Sequence, residues 1–258
     1  MAGPPVVAGQ ARSAPGAAGA ARRPQLPWTS LVVASAAALL VVAVGLLVWW
    51  AATKETRIAS YRVTGDLTRI EIDVHSGGVE ITDAGGKAVE VRRTDSFAFD
   101  RPAHERRGVR AGVLRLSSRC PRLVVGSCTS NYRVAVPENV PVAIRSGDGD
   151  VRIAAFRGSA EVTTGAGNVF VDGFCGFALS VKTGSGAARA TATCSPQSLN
   201  LRSSTGDVQA TVPAGGYRVE ADSSNGDTEV SGIQRNAGAP YEIQALSDAG
   251  DVTVRGGG

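Results

Sequence analysis

The chain has 258 residues, of which only 5% are aromatic and 32 are glycine. That composition argues against a helical bundle with bulky packing and for short strands joined by tight turns, an all-β fold. The formal charge of +4 does not point to nucleic acid. The segment before Lys54 holds Arg12, Arg22 and Arg23 and no acidic residue, the remainder is nearly neutral, and no Lys/Arg run or basic-aromatic interleaving occurs in it.

In chain order, residues 1–27 are rich in Ala, Gly and Pro, too poor in apolar side chains to fold, and read as a disordered cytoplasmic tail. From Pro24 to Thr53 there is no charged side chain, and residues 28–52 read as one transmembrane helix with the lipid bilayer as its partner. Trp28 at one end and Trp49 and Trp50 at the other stand where amphipathic rings favour the headgroup level. A cleaved signal peptide is the rival reading. The apolar core is long for one, and two tryptophans crowd its end, which favours an uncleaved anchor. Arginines precede the helix, while Lys54, Glu55 and Arg57 follow it as a mixed cluster, so the N-terminus is expected in the cytoplasm and the C-terminal part outside. Residues 53–66 read as a linker and residues 67–258 as the folded domain.

That domain is a repeat. Gly77, Gly149, Gly167, Gly186, Gly206, Gly226 and Gly250 give a common frame, the last six being 18, 19, 20, 20 and 24 residues apart. At −7, −5, +2 and +4 from each glycine stand Ile70, Ile72, Val79, Ile81; Val142, Ile144, Val151, Ile153; Ala160, Val162, Val169, Val171. The series continues with Leu179, Val181, Ala188, Ala190; Leu199, Leu201, Val208, Ala210; Val219, Ala221, Thr228, Val230; Ile243, Ala245, Val252, Val254. Only Thr228 is not apolar, where chance at 43% apolar residues would fill about 12 of the 28 positions. Each unit is a strand, a glycine corner and a second strand, and neither strand can bury its apolar face alone. The spacing predicts a β-solenoid (β-helix) of 18–24-residue coils. A meander of hairpins would show the same alternation. Between Ile81 and Val142 the frame is lost, and the stretch 87–131 reads as irregular coils carrying an insertion.

The cysteines favour the solenoid. Cys175 and Cys194 each lie eight residues past a corner glycine, so stacked coils put them one strand spacing apart, within disulfide range, whereas a meander would put them two strands apart. Cys120 and Cys128 bracket a short segment with Pro121 and Gly126. Two disulfides, Cys120–Cys128 and Cys175–Cys194, are expected, in an oxidising exterior. Free core thiols are the alternative, and the absence of C-x-x-C argues against zinc.

Residue patterns for chemistry are few. His75 and His104 belong to no metal or catalytic motif, no G-x-S-x-G occurs, and Gly85-Gly86-Lys87 is followed by Ala88, unlike a phosphate loop. The positions after the corner glycines are Gly78, Asp150, Asn168, Ala187, Asp207, Asp227 and Asp251. If the coils stack in sequence order, Asp207, Asp227 and Asp251 fall in register, close enough to share a calcium ion. The same residue types also suit turns by bonding their own backbone, which is the plainer reading. No catalytic residue and no cofactor is expected.

The phrases IRSGDGDVRI, VTTGAGNVFV, VKTGSG, LRSSTGDVQA and SDAGDVTV resemble the repeats of the bacterial putative-adhesin domain family of unknown function, common in actinobacterial membrane proteins behind one N-terminal helix. The resemblance covers residues 67–258 and implies a β-solenoid named for adhesion by analogy, with no catalytic residues to carry over. Together these readings lead to a membrane-anchored, non-catalytic domain at the cell surface, acting in adhesion or cell-envelope binding, with an envelope glycan or surface protein as partner. The alternative is a signalling or scaffolding subunit of a membrane complex, pairing through the tail, the helix or an open last coil near Val252 to Gly258.

Overall fold

The computed structural model describes residues 28–52, 54–98, 101–121 and 128–257. The expected tail, 1–27, and parts of the irregular stretch lie outside the described residues. The chain divides into two units near Trp50. In the first, α1 (Trp28–Ala52) carries an uncharged apolar run, Val32–Trp49, none of it buried, long enough to cross a membrane. Only Gly45 and scattered valines lower its helix propensity, and no proline interrupts it.

The second unit is all strand. Its elements are β1 (Lys54–Val63), β2 (Arg69–Ser76), β3 (Val79–Asp83), β4 (Val89–Ala98), β5 (His104–Arg110), β6 (Val113–Arg119), β7 (Cys128–Val136), β8 (Val142–Asp148), β9 (Val151–Ala154) and β10 (Ala160–Ala166). They continue with β11 (Val169–Phe174), β12 (Ala178–Ser185), β13 (Ala188–Ala192), β14 (Ser198–Thr205), β15 (Val208–Pro213), β16 (Gly216–Ser223), β17 (Thr228–Ser231), β18 (Gln234–Arg235), β19 (Glu242–Ala249) and β20 (Val252–Gly257). Two ten-stranded sheets result, one ordered β18-β16-β19-β14-β12-β10-β8-β2-β6-β5 and the other β1-β4-β7-β3-β9-β11-β13-β15-β20-β17. Each coil gives its first strand to the first sheet and its second to the other, and successive coils pair in parallel. This is the expected β-solenoid.

The register carries the repeat into the core. Ile72, Ile144, Val162, Val181, Leu201, Ala245 and Ala221 form one line across the first sheet. Val79, Val151, Val169, Ala188, Val208, Val252 and Thr228 form another across the second. Every repeat position is buried except the four of the β16–β17 coil, Val219, Ala221, Thr228 and Val230. Burying these inward faces, at about 25 cal/mol per Å² of apolar surface, is what drives the coils together.

Two expectations need correction. The coils do not stack in sequence order: β19–β20 lies between β14–β15 and β16–β17, so the exposed end coil is residues 216–235 and not Val252 to Gly258. The physical reason lies in the inward faces. Ile243, Ala245, Val252 and Val254 are more apolar than Val219, Ala221, Thr228 and Val230, and the poorer coil takes the position with one face toward solvent. The second correction concerns the segment 53–66, expected as a linker. Residues 54–63 form β1, paired antiparallel to β4 along ten residues, with Tyr61 and Val63 packed against the core. The irregular stretch likewise adds two antiparallel strands, β4 between β1 and β7 and β5 at the edge of the other sheet, while β6 and β7 form one more coil outside β2–β3.

The corners need glycine. Gly250 has φ +139°, and a Cβ there would lie 2.5 Å from the carbonyl carbon and oxygen of Gly206 on the neighbouring coil. Both the backbone conformation and the approach exclude a side chain.

Candidate binding surface

The residues singled out from sequence fall into one corner column. There Asp207 Oδ1 accepts the backbone N–H of Asp251 at 3.1 Å, and Asp251 Oδ1 accepts that of Asp227 at 2.9 Å. The same ladder joins Asp150 to the N–H of Asn168 at 3.0 Å, Asn168 to Ala187 at 2.9 Å, and Asn131 to Gly78 at 2.8 Å. It stops at Gly78 and Ala187, which have no side-chain acceptor. The aspartates are therefore in the order 207, 251, 227, and two of them spend a carboxylate oxygen on the next coil's backbone. Among the described residues no group of three or more His, Cys, Asp or Glu is placed to hold a metal, and what joins the three aspartates is a hydrogen-bond ladder from carboxylate to backbone.

A second column escaped the sequence reading. Three residues before the corner glycine stand Ser146, Thr164, Thr183, Ser203, Ser223 and Ser247. Thr183, Ser203, Ser247 and Ser223 donate to the carbonyls of Gly167, Gly186, Gly206 and Gly250 on the adjacent coil, at 3.1, 2.9, 2.9 and 2.7 Å. Thr164 is the exception, its hydroxyl buried with no partner. The signal was visible as a Ser or Thr in six of seven repeats, with Val74 the only departure.

Both cysteine pairs are disulfides. Cys175 and Cys194 bridge neighbouring coils with Cα atoms 4.8 Å apart, one strand spacing, and Cys120–Cys128, at 5.8 Å, ties β6 to β7. His75 and His104 are both exposed.

At the β1 end, charges enter the space between the sheets. Arg93 and Asp95 occupy inward positions of β4 and are 6% and 4% exposed. Arg93 Nε donates to Asp95 Oδ1 at 2.7 Å, its other nitrogens reach Glu105 at 2.8 Å and the Ala103 carbonyl at 2.9 Å, and Ser130 donates to Asp95 at 2.6 Å. Tyr61 of β1 donates to Glu105 of β5 at 2.8 Å, so the outermost strands of the two sheets are joined. Burial raises the Tyr61 phenol well above its ordinary value, with Glu105 adding to the shift, and burial pushes Tyr132 up to about 12. Every partner here is another protein group, and the cluster closes the end of the solenoid.

The remaining surface is open. Two adjoining grooves lie on the outer face of the second sheet, one of about 360 Å³ and one of about 470 Å³, and both are lined by Arg92 and Arg133. The first also takes in Thr94, Asn131, Asp150 and Arg152. Arg133 meets Glu80 at 2.6 Å and Arg152 meets Asp150 at 3.3 Å, at the groove floor. These contacts are solvent-exposed and contribute little to stability.

Residues 130–255 match the model of the Toastrack DUF4097 family. This segment is similar to the Toastrack domain. The match runs from β7 to β20 and agrees with the putative-adhesin resemblance of the repeats; β1 to β6 lie outside it. Among solved structures, the chain is similar to a putative cell adhesion protein from Clostridium sporogenes at 10% identity and TM-score 0.48, covering 79% of this chain and 100% of that one. It is also similar to a putative adhesin from Bacteroides fragilis (15% identity, TM-score 0.40, 78% and 97% covered). A putative lipid binding protein from Parabacteroides distasonis shows 11% identity and TM-score 0.28, with 80% and 95% covered. No curated protein matches the chain.

Proposed function

We propose that this protein holds a non-catalytic binding domain at the outer side of the cell membrane, where the faces of the Toastrack solenoid contact cell-envelope material. The observation that carries the reading is the pair of ten-stranded sheets, whose outward side chains are held in fixed register over shallow, open grooves rather than around an enclosed cavity. A rigid, flat, repeated face suits an extended polymer better than a small substrate. The Val32–Trp49 run of α1 supports an uncleaved anchor, and two closed disulfides support an oxidising, extracytoplasmic compartment.

The test is co-sedimentation of the full-length chain, held in nanodiscs of neutral lipid, with isolated cell walls. Saturable binding that is lost after heat unfolding of the chain is the expected result. Absence of saturable binding, in wild-type chain whose disulfides are intact, overturns the reading.

A further inference from the structure

Arg92 of β4 and Arg133 of β7 stand directly opposite each other on antiparallel strands, both pointing outward. Like charges so placed destabilise the pair of strands that carries them. Three other arginines on this sheet have acidic partners, Arg62 with Glu90, Arg133 with Glu80 and Arg152 with Asp150. Arg92 has none among the described residues, and across from it on its other side is Ser60. An unneutralised guanidinium facing a second one is what an anion-binding site looks like before its anion arrives. The pair sits where the two grooves of this face meet.

The register extends the site. From Arg133 the row of paired residues runs through Glu80, Arg152 and Phe170 to Arg189, at about 4.8 Å per strand. The Arg152 guanidinium lies 5.3 Å from the Phe170 ring centroid. Beside Arg92 and Arg133 stand Thr94 and Asn131, a facing pair that brings a hydroxyl and an amide to the same groove. Four arginines, the single carboxylate Glu80 and an aromatic ring along this open row, with a hydroxyl and an amide in the row beside it, match a carboxylated sugar polymer: carboxylates for the guanidinium groups, sugar faces for the ring, hydroxyls for the amide. We infer that this row binds an anionic glycan, with Arg92 and Arg133 as the principal carboxylate-binding pair. The inference rests on the surface-binding reading above and names the ligand class for it. On the opposite sheet Lys182 and Arg202 are also neighbours, but their row has no aromatic side chain, which makes them a control.

The experiment is calorimetric titration of the full-length chain in neutral-lipid nanodiscs with oligogalacturonate. Saturable binding is expected, weakening as salt rises, at least ten-fold weaker in Arg92→Gln and in Arg133→Gln, unchanged in Lys182→Gln/Arg202→Gln, and absent for the carboxyl-reduced oligosaccharide. Arg92→Gln is also expected to melt no lower than wild type, since it relieves a repulsion. Several results each overturn the inference: no binding of the oligosaccharide, an unchanged affinity in Arg92→Gln, an equal loss in the control variant, or equal binding of polyglutamate, which has the charge without the sugar. Preferential binding of anionic lipid vesicles through the same arginines overturns it in favour of a headgroup site. If Arg92→Gln binds isolated cell walls as wild type does, the ligand assignment fails while the surface-binding reading stands.

Discussion

Replacing Gly250 by alanine probes the feature on which the flat faces depend, the close stacking of corners. The new Cβ would lie 2.5 Å from the Gly206 carbonyl, about 0.9 Å inside ordinary contact, and both partners are backbone, so no side chain can swing away. The neighbouring coil must therefore move, against a ladder of parallel hydrogen bonds that fixes its distance. Holding a non-glycine residue at φ +139° costs about 1–3 kcal/mol, and overpacking adds about 1–3 kcal/mol. The expected loss is about 2–6 kcal/mol. For a folded unit of about 200 residues that lowers the melting temperature by roughly 5–20 °C, followed by circular dichroism of the chain in nanodiscs. Gly216→Ala is the control: nothing lies within 4 Å of its Cβ and its φ is ordinary, so it should stay within about 0.5 kcal/mol of wild type. A Gly250→Ala protein that melts within about 2 °C of wild type would refute the argument.

Three further outcomes are expected. Arg93→Leu strands the buried carboxylate of Asp95 and the half-buried one of Glu105 and should cost about 3–5 kcal/mol in urea unfolding; adding Asp95→Leu and Glu105→Gln should recover part of that loss. Replacing Cys175 and Cys194 together by serine removes a closed loop of about 20 residues and should cost about 3 kcal/mol, matched by the effect of reductant on that bridge and measured by thermal melting with and without dithiothreitol. Tyr132 has its folded value raised to about 12 from an ordinary 10, so the folded state keeps its proton while the unfolded state loses it. Stability from this group is complete below pH 10 and falls between pH 10 and 12 by up to about 1.4 kcal/mol per pH unit; Tyr132→Phe should flatten that slope in urea titrations.

The core was legible because the repeat writes it at fixed positions, and the parity of Ile70, Ile72, Val79 and Ile81 survives into the stacked lines of both sheets. Cys175 and Cys194 were legible for the same reason: one column in sequence is one strand spacing in space. The order of the coils was not. Each repeat presents nearly the same inward face, so local pattern cannot tell which coil stacks on which, and Thr228 alone marked the coil that ends at solvent. Arg93 and Asp95 were missed because they sit at inward parity in β4, between Val91 and Phe97, where charges look like a loss of frame. Their partners, Glu105 and Ser130, lie on other strands, and only tertiary structure joins them. The Ser/Thr column was in plain view and was passed over because attention to apolar positions excludes it. The Arg92–Arg133 pair needs the antiparallel register of β4 and β7, which no spacing in the chain reveals.

The order of the coils has a physical logic of its own. From the β1 end the stack reads β6–β7, β2–β3, β8–β9, β10–β11, β12–β13, β14–β15, β19–β20, β16–β17. At both ends the chain lays an outermost coil and then crosses back, and at the first end β1, the earliest strand, is added beyond β4 at the edge of the second sheet. Here β20 is paired on both sides, with β15 and β17, and Val252 and Val254 are fully buried. The exposed coil β16–β17 continues into chain on both sides and cannot peel off from a free end. The cost is topological: β19–β20 contacts β14–β15 across about 44 residues, against 18 to 20 between neighbouring coils from β8–β9 to β14–β15, and closing it must be slower than adding a coil in order. The arrangement places the most apolar late segment inside and leaves the polar coil to meet solvent.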